Sequence, residues 1–179
     1  MLPDIKEVLL SEEKICERNR VLGKMISEDY QENQGLMAIC ILRGSFVFFA
    51  DLVRCIDFPV EVAFLHAASY FGGSTSSGEV HIPDSNIVDV EGKDVLLVED
   101  IVDSGRTLAK LKDTLLKKRP KSLKICTLLD KPERRVVEVD VDYCGFQVPD
   151  EFVVGYGLDY DQKYRNLPYI GILKREIYS

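Results

Sequence analysis

Three carboxylates and a Ser-Gly-Arg-Thr turn fall within one short stretch, Glu99-Asp100-Ile101-Val102-Asp103-Ser104-Gly105-Arg106-Thr107. They follow an apolar run, Val95 to Val98, that has the length and β-branching of a buried strand. Charge at a strand exit is an odd placement unless something is bound there, and in open parallel sheets ligands bind outside the carboxyl ends of the strands. The N–H groups of the Ser104–Thr107 turn and of the helix it opens can cradle a phosphate. Glu99 and Asp100 would repel that phosphate, so they serve another group, such as a ribose diol or a bound Mg²⁺. A phosphate beside a sugar points to a phosphosugar ligand. Read singly, Asp103 or Ser104 is a helix cap and Glu99 an exposed strand end; three acids clustered with the turn favour a ligand site. The chain has no Gly-x-x-x-x-Gly-Lys loop and no dinucleotide fingerprint.

The elements that must position these residues alternate between strand and helix. Ser11 followed by Glu12-Glu13 opens a helix over 11–32, with Ile15, Val21, Leu22, Met25 and Ile26 as its apolar stripe. Leu36–Leu42 reads as a buried strand, Arg43-Gly44-Ser45 as a turn and Phe46–Cys55 as the returning helix. A second strand covers Val60–His66. Residues 67–86 lose periodicity and gather Ser, Thr and Gly, which predicts a mobile loop suited to an active-site lid. After the acidic motif a helix runs over about 106–118, stopped by Lys117-Lys118-Arg119-Pro120. Leu123–Leu129 is a further buried strand, and Val136–Val141 with Tyr143 is strand-like or irregular. Phe152-Val153-Val154 and Tyr169–Leu173 are short strands flanking a polar turn, Gly157–Leu167. Strands alternating with helices imply a mostly parallel α/β sheet in one layered domain.

The bulk composition narrows the function classes. The 179 residues are 46% hydrophobic and 30% charged, as in a soluble globular protein. No apolar run approaches a membrane span, and the first residues, Met1-Leu2-Pro3-Asp4-Ile5-Lys6-Glu7, carry no signal-peptide pattern. The five cysteines are odd in number and have no Cys-x-x-Cys pair. Cys40 and Cys126 lie in apolar runs and read as small buried hydrophobes, which fits a reducing cytoplasm. A net charge of −7 weighs against broad nucleic-acid binding. His66 and His81 lack metal-ligand spacing.

Val98–Thr107 resembles the phosphoribosyl pyrophosphate (PRPP) motif of the type I phosphoribosyltransferases. The likeness extends to Leu42-Arg43-Gly44-Ser45, Ser69-Tyr70, Leu129-Asp130-Lys131-Pro132 and Pro149–Tyr160, which resemble the other signatures of the hypoxanthine–guanine branch of that family. It runs in order from about residue 36 to the C-terminus. The resemblance implies a type I phosphoribosyltransferase fold in a single domain over 1–179. Its core would span about 36–150, and a small hood over the base site would come from the N-terminal and C-terminal segments.

The reaction so implied replaces pyrophosphate on the anomeric carbon of PRPP with a purine ring nitrogen. Such a transition state has oxocarbenium character, which two carboxylates beside the ribose favour. Glu99 and Asp100 match the positions that hold the ribose hydroxyls, directly or through Mg²⁺, and Asp103 matches the proposed general base. Ser104, Gly105, Arg106 and Thr107 would hold the 5′-phosphate. Arg43 and Gly44 match the pyrophosphate loop, where lysine often stands in place of Arg43 and a non-proline cis peptide is expected beside it. Arg165 matches a second pyrophosphate ligand, and Asp159 a Mg²⁺ position. Lys131 matches the donor to the purine's exocyclic oxygen; an ammonium has donors only and is a poor partner for adenine's amino group. Phe152 matches the aromatic that stacks on the purine and Val153 the backbone contact to the base edge. Ser69 and Tyr70 match the start of the closing loop.

The implied ligands are therefore PRPP, hypoxanthine or guanine, IMP or GMP and pyrophosphate, with Mg²⁺ as cofactor. A homodimer or homotetramer is expected, with no nucleic-acid or membrane partner. Two rivals stand beside this reading. One is transfer to another base, among which xanthine shares the oxo group that Lys131 would bind. The other is a regulatory nucleic-acid binder that keeps the fold, which could dispense with Asp103.

Overall fold

The computed structural model describes residues 2–30, 35–66 and 88–178. In chain order the strands are β1 (Ile5–Leu10), β2 (Leu36–Leu42), β3 (Glu61–His66), β4 (Asp94–Val102), β5 (Ser122–Asp130), β6 (Tyr143–Gln147), β7 (Val153–Val154) and β8 (Ile170–Leu173). The helices are α1 (Glu12–Tyr30), α2 (Phe46–Val53), α3 (Arg106–Leu116) and a short α4 (Arg175–Tyr178). Five strands form a parallel sheet in the order β3-β2-β4-β5-β6. A small antiparallel sheet, β1-β8-β7, joins the N-terminal and C-terminal segments.

The central sheet is buried on both faces, which is why its strands read as continuous apolar runs. Ala38, Cys40, Leu96, Val98, Cys126 and Leu128 face the layer that holds Ile15, Leu22 and Ile26 of α1 with Phe48, Phe49 and Leu52 of α2. Met37, Ile39, Val95, Leu97 and Ile125 face Leu108, Leu111 and Leu115 of α3. Along β4 this two-residue alternation changes phase between Val98 and Ile101, because Ile101 packs on the side of Leu96 and Val98, and Val102 on the other. The phase change falls on Glu99 and Asp100.

Several expectations are corrected. β4 runs to Val102, so Glu99 and Asp100 lie inside the strand and not beyond it. In α1 the buried side is Ile15, Leu22, Ile26 and Tyr30; Val21 and Met25 are exposed. Of the two alternatives for 136–141 the irregular one is found: Val136 and Val137 donate backbone N–H bonds to the Ser104 carbonyl, each at 3.0 Å, and the strand begins at Tyr143. β1 and α4 had no periodic signal strong enough to be read. β1 exposes its middle residues and takes its order from pairing with β8, at least 160 residues away in sequence. The lid expected over residues 67–86, which include Ser69, Tyr70 and His81, falls outside the described residues.

Candidate active site

Glu99 and Asp100 are consecutive residues in the last part of β4, which is flanked by β2 and β5. Glu99 is buried and Asp100 half-buried. Glu99 Oε1 accepts the Asp100 N–H at 3.2 Å, and Asp100 Oδ1 accepts the Ile101 N–H at 2.8 Å. Burial, and then the adjoining Asp100 carboxylate, push Glu99 well above the usual carboxylate range. Burial raises Asp100 as well, against hydrogen bonds and the attraction of Arg165. Two carboxylates this close to each other and to water-excluding walls favour a cation or hydroxyl partner.

The turn Arg43-Gly44-Ser45 crosses over this pair, and the Leu42–Arg43 peptide bond is cis. A Cβ at Gly44 would lie 1.5 Å from Asp100 Oδ2, so only glycine lets the backbone approach so closely. From the other side the C-terminal segment closes in. Gly157, at φ +103°, presses on the Gly44 carbonyl, where a Cβ would come within 2.1 Å. Arg165 spans this junction, donating to the Gly157 carbonyl at 2.8 Å and pairing with Asp159 Oδ1 at 2.8 Å. Gln162 Oε1 accepts from both Arg43 Nη1 and Arg165 Nη2, each at 3.3 Å. The two cations expected at one anion are thus joined through Gln162. Asp159 Oδ2 also accepts the Gln162 N–H at 2.9 Å.

The Ser104–Thr107 turn opens α3. Gly105 adopts a left-handed φ of +82° as its N-cap, which turns the strand sharply into the helix. No acidic residue occupies the first turn of α3, so the positive end of the helix is open to an anion. Residues 101–105, Glu99, Thr107 and Leu108 line a hollow of about 80 Å³. Ser104 is fixed from behind by the Val136 and Val137 N–H groups on its carbonyl.

Asp103 and Lys131 come together because their strands are neighbours. The Lys131 N–H bonds the Val102 carbonyl at 3.0 Å, placing it beside the last residue of β4. Lys131 is buried, 8% exposed, and its ammonium donates to the Glu151 carbonyl at 2.7 Å. Burial pulls its pKa below the ordinary lysine value, while Asp103 and Asp150 pull it back up. The turn it occupies is braced by an ion pair between Arg135 and Asp130, both largely buried. Arg134 reaches from the same turn to Asp103 at 2.8 Å and to Asp150 at 3.6 Å. Val153 is buried in β7, and Phe152, just before it, is 36% exposed.

Gln162, Arg134 and Asp150 also stand at the site, without a sequence signal that assigns them to it. Arg134 carried a faint signal, as one of three basic residues in five positions with Lys131 and Arg135. Gln162 carried none, because its role depends on a fold-back that brings residues 157–165 onto residue 43.

Residues 9–161 match the phosphoribosyl transferase domain family. A hypoxanthine-guanine phosphoribosyltransferase from Streptococcus thermophilus is 48% identical over 176 residues, covering 98% of this chain and 97% of the relative. Its Streptococcus pneumoniae counterpart is 49% identical over the same shares. The fold superposes with a TM-score of 0.91 on a crystal structure of a hypoxanthine phosphoribosyltransferase from Staphylococcus aureus, 47% identical and covering 98% of this chain and 95% of that one. A Trypanosoma cruzi hypoxanthine phosphoribosyltransferase in a ternary substrates complex gives the same score at 41% identity, covering 99% and 100%. The carboxylates near the end of β4, the open start of α3 and the lysine just past β5 therefore stand in a chain that belongs to the phosphoribosyltransferase family, in its hypoxanthine-guanine branch.

Proposed function

We propose that the chain transfers the phosphoribosyl group of PRPP to hypoxanthine, and to guanine, in purine salvage. The bond broken joins the anomeric carbon to a pyrophosphate oxygen, and the bond formed joins that carbon to a purine ring nitrogen. Asp103 accepts the nitrogen's proton, and the products are IMP or GMP and pyrophosphate. One observation carries the choice of base: a buried, donor-only ammonium, Lys131, stands just past the end of β5, beside the end of β4 that leads into Asp103. It suits an exocyclic oxygen and not an amino group.

The other residues take the roles their surroundings favour. Ser104, Gly105, Arg106 and Thr107 receive the 5′-phosphate at the start of α3. Glu99 and Asp100 hold the ribose hydroxyls and favour the positive charge that develops on the sugar. Arg43, Gly44 and Arg165 receive pyrophosphate, whose arrival would compete with Gln162 for both guanidinium groups. Phe152 stacks on the purine, and the Val153 backbone meets its edge. Ser69 and Tyr70, outside the described residues, are assigned here to the start of a loop that would cover the site.

The donor set fits Mg²⁺. Glu99 and Asp100 offer hard oxygen ligands whose mutual repulsion a divalent cation would relieve, and Asp159, already engaged by Arg165 and Gln162, suits a contact through water. When bound, the ion neutralises charge on the departing pyrophosphate.

We read the chain as one domain over 1–179, with a core of about 36–150 and a hood from both ends; the pairing of β1 with β8 supports this. A homodimer or homotetramer is favoured by exposed apolar side chains, Phe46 on α2 and Val62 and Phe64 on the edge strand β3. The five cysteines are all free thiols, as suits the cytoplasm. Among the described residues no helix is long and apolar enough to cross a membrane.

The deciding experiment supplies PRPP and Mg²⁺ with hypoxanthine, guanine, xanthine or adenine in turn and identifies the nucleotide formed. IMP and GMP are expected; their absence overturns the reading.

A further inference from the structure

Phe152 precedes a two-residue strand, so its own backbone does little to fix its ring. Two other aromatic rings do that. Tyr178 of α4 stacks on it, with centroids 4.7 Å apart and planes at 24°. Tyr160, next to Asp159, meets it edge-on at 5.6 Å and 89°. Tyr160 and Tyr178 also touch each other at 6.5 Å. Both pack with Ile177 onto a cluster of Ile5, Val154 and Leu173, the side of the small sheet turned away from Val153 and Ile172. The arrangement is anchored by the Leu173 N–H on the Phe152 carbonyl at 2.8 Å, which carries the start of α4 past Phe152.

A stacked ring has two faces, and Tyr178 covers one. Phe152 stays 36% exposed, so ring surface remains open for another flat partner. Immediately before it, the Glu151 carbonyl holds the Lys131 ammonium. We propose that Tyr178 is a positioning residue for purine binding: it backs the Phe152 ring and presents its free face toward the base held at Lys131. This rests on the reading that Phe152 stacks on the purine. α4 then belongs to the base site, although none of its side chains need touch the substrate. Aromatic pairing is non-covalent and geometry-dependent, so a side chain of similar bulk without a flat face should not replace it.

The test compares Tyr178→Phe, Tyr178→Leu, Tyr178→Ala and Phe152→Ala in steady-state kinetics and in calorimetric binding of IMP. Tyr178→Ala and Tyr178→Leu are expected to raise the hypoxanthine KM and the IMP Kd by about threefold to tenfold, the range an aromatic pair sets. The PRPP KM should hold, and Tyr178→Phe should restore wild-type values. A change in PRPP KM equal to that in hypoxanthine KM would make the effect a general loss of fold and overturn the proposal. If Phe152→Ala weakens purine binding and Tyr178→Ala does not, Tyr178 has no such role. A tighter hypoxanthine KM in Tyr178→Ala would mean that Tyr178 competes with the base, which also overturns it. Unchanged purine binding in Phe152→Ala would remove the underlying reading of Phe152 instead.

Discussion

Arg134 donates its Nε–H to Asp103 Oδ1 at 2.8 Å, tying the turn that carries Lys131 to the acid proposed to receive the purine's proton. Its Nη1 lies 3.6 Å from Asp150, which lies 3.9 Å from the Lys131 ammonium. The four side chains form a line of alternating charge across the proposed base site. Arg134 and Asp103 are about half exposed, so the pair adds little to stability. Its expected effect is on orientation. Arg134→Ala should lower kcat by about threefold to tenfold while stability moves by no more than about 0.5 kcal/mol, the range for surface changes. Kinetics and thermal melting on one preparation check both.

Asp103→Asn keeps the shape of the side chain and removes its basicity. Turnover should fall by about 10²–10⁴-fold, the usual worth of a positioned acid or base, with PRPP affinity nearly unchanged. Equal losses in kcat and in PRPP binding would count against the base role.

Lys131→Ala removes a charge-assisted donor from a buried place. Purine KM should rise by about tenfold or more, in line with about 1.5–3 kcal/mol for a hydrogen bond to a charged group. Hypoxanthine titrated against the PRPP-bound protein measures it, and an unchanged purine KM would contradict the assignment.

Glu99→Gln removes a carboxylate that burial and Asp100 make costly to ionise. The ligand-free protein should melt about 2–4 °C higher, as a gain near 1 kcal/mol gives in a domain of this size. Its transferase activity should be largely lost. The paired result, more stable and less active, is what a site strained for function predicts.

Asp94, at the start of β4, supplies a pH-dependent contribution far from the chemistry. Burial raises its pKa, but hydrogen bonds from Lys121 at 2.8 Å and Ser122 at 2.6 Å, with the Lys121 charge, outweigh that and hold it below the usual value. A lowered folded-state pKa stabilises above the unfolded value of about 3.9 and ceases to as pH falls through the folded one. Asp94→Asn should therefore cost about 1 kcal/mol at neutral pH, a figure reduced by the exposure of Lys121, and the gap should close below about pH 4. Denaturant unfolding of both proteins across that range tests the sign.

The amino-acid order alone determined the parallel core and the place of its chemistry. Buried strands at Leu36–Leu42 and Val95–Val98 declare themselves by apolar content, and the acids followed by Ser-Gly-Arg-Thr mark the candidate site at the end of the second of them. Those signals are local, so a short window of sequence contains them. Tertiary structure decided which distant residues share the site. Lys131 comes near Asp103 because β5 lies beside β4, and Arg43 meets Arg165 through Gln162 because residues 157–165 fold back over the Gly44 turn. β1 exists as a strand because β8 supplies its partner. Hydrogen bonds and ion pairs between residues tens of positions apart leave no periodic trace along the chain, since the backbone path that brings them together is set by packing of the whole sheet. The strand-exit acids were legible for the opposite reason: charge next to a buried apolar run conflicts with burial, and that conflict is written in neighbouring residues.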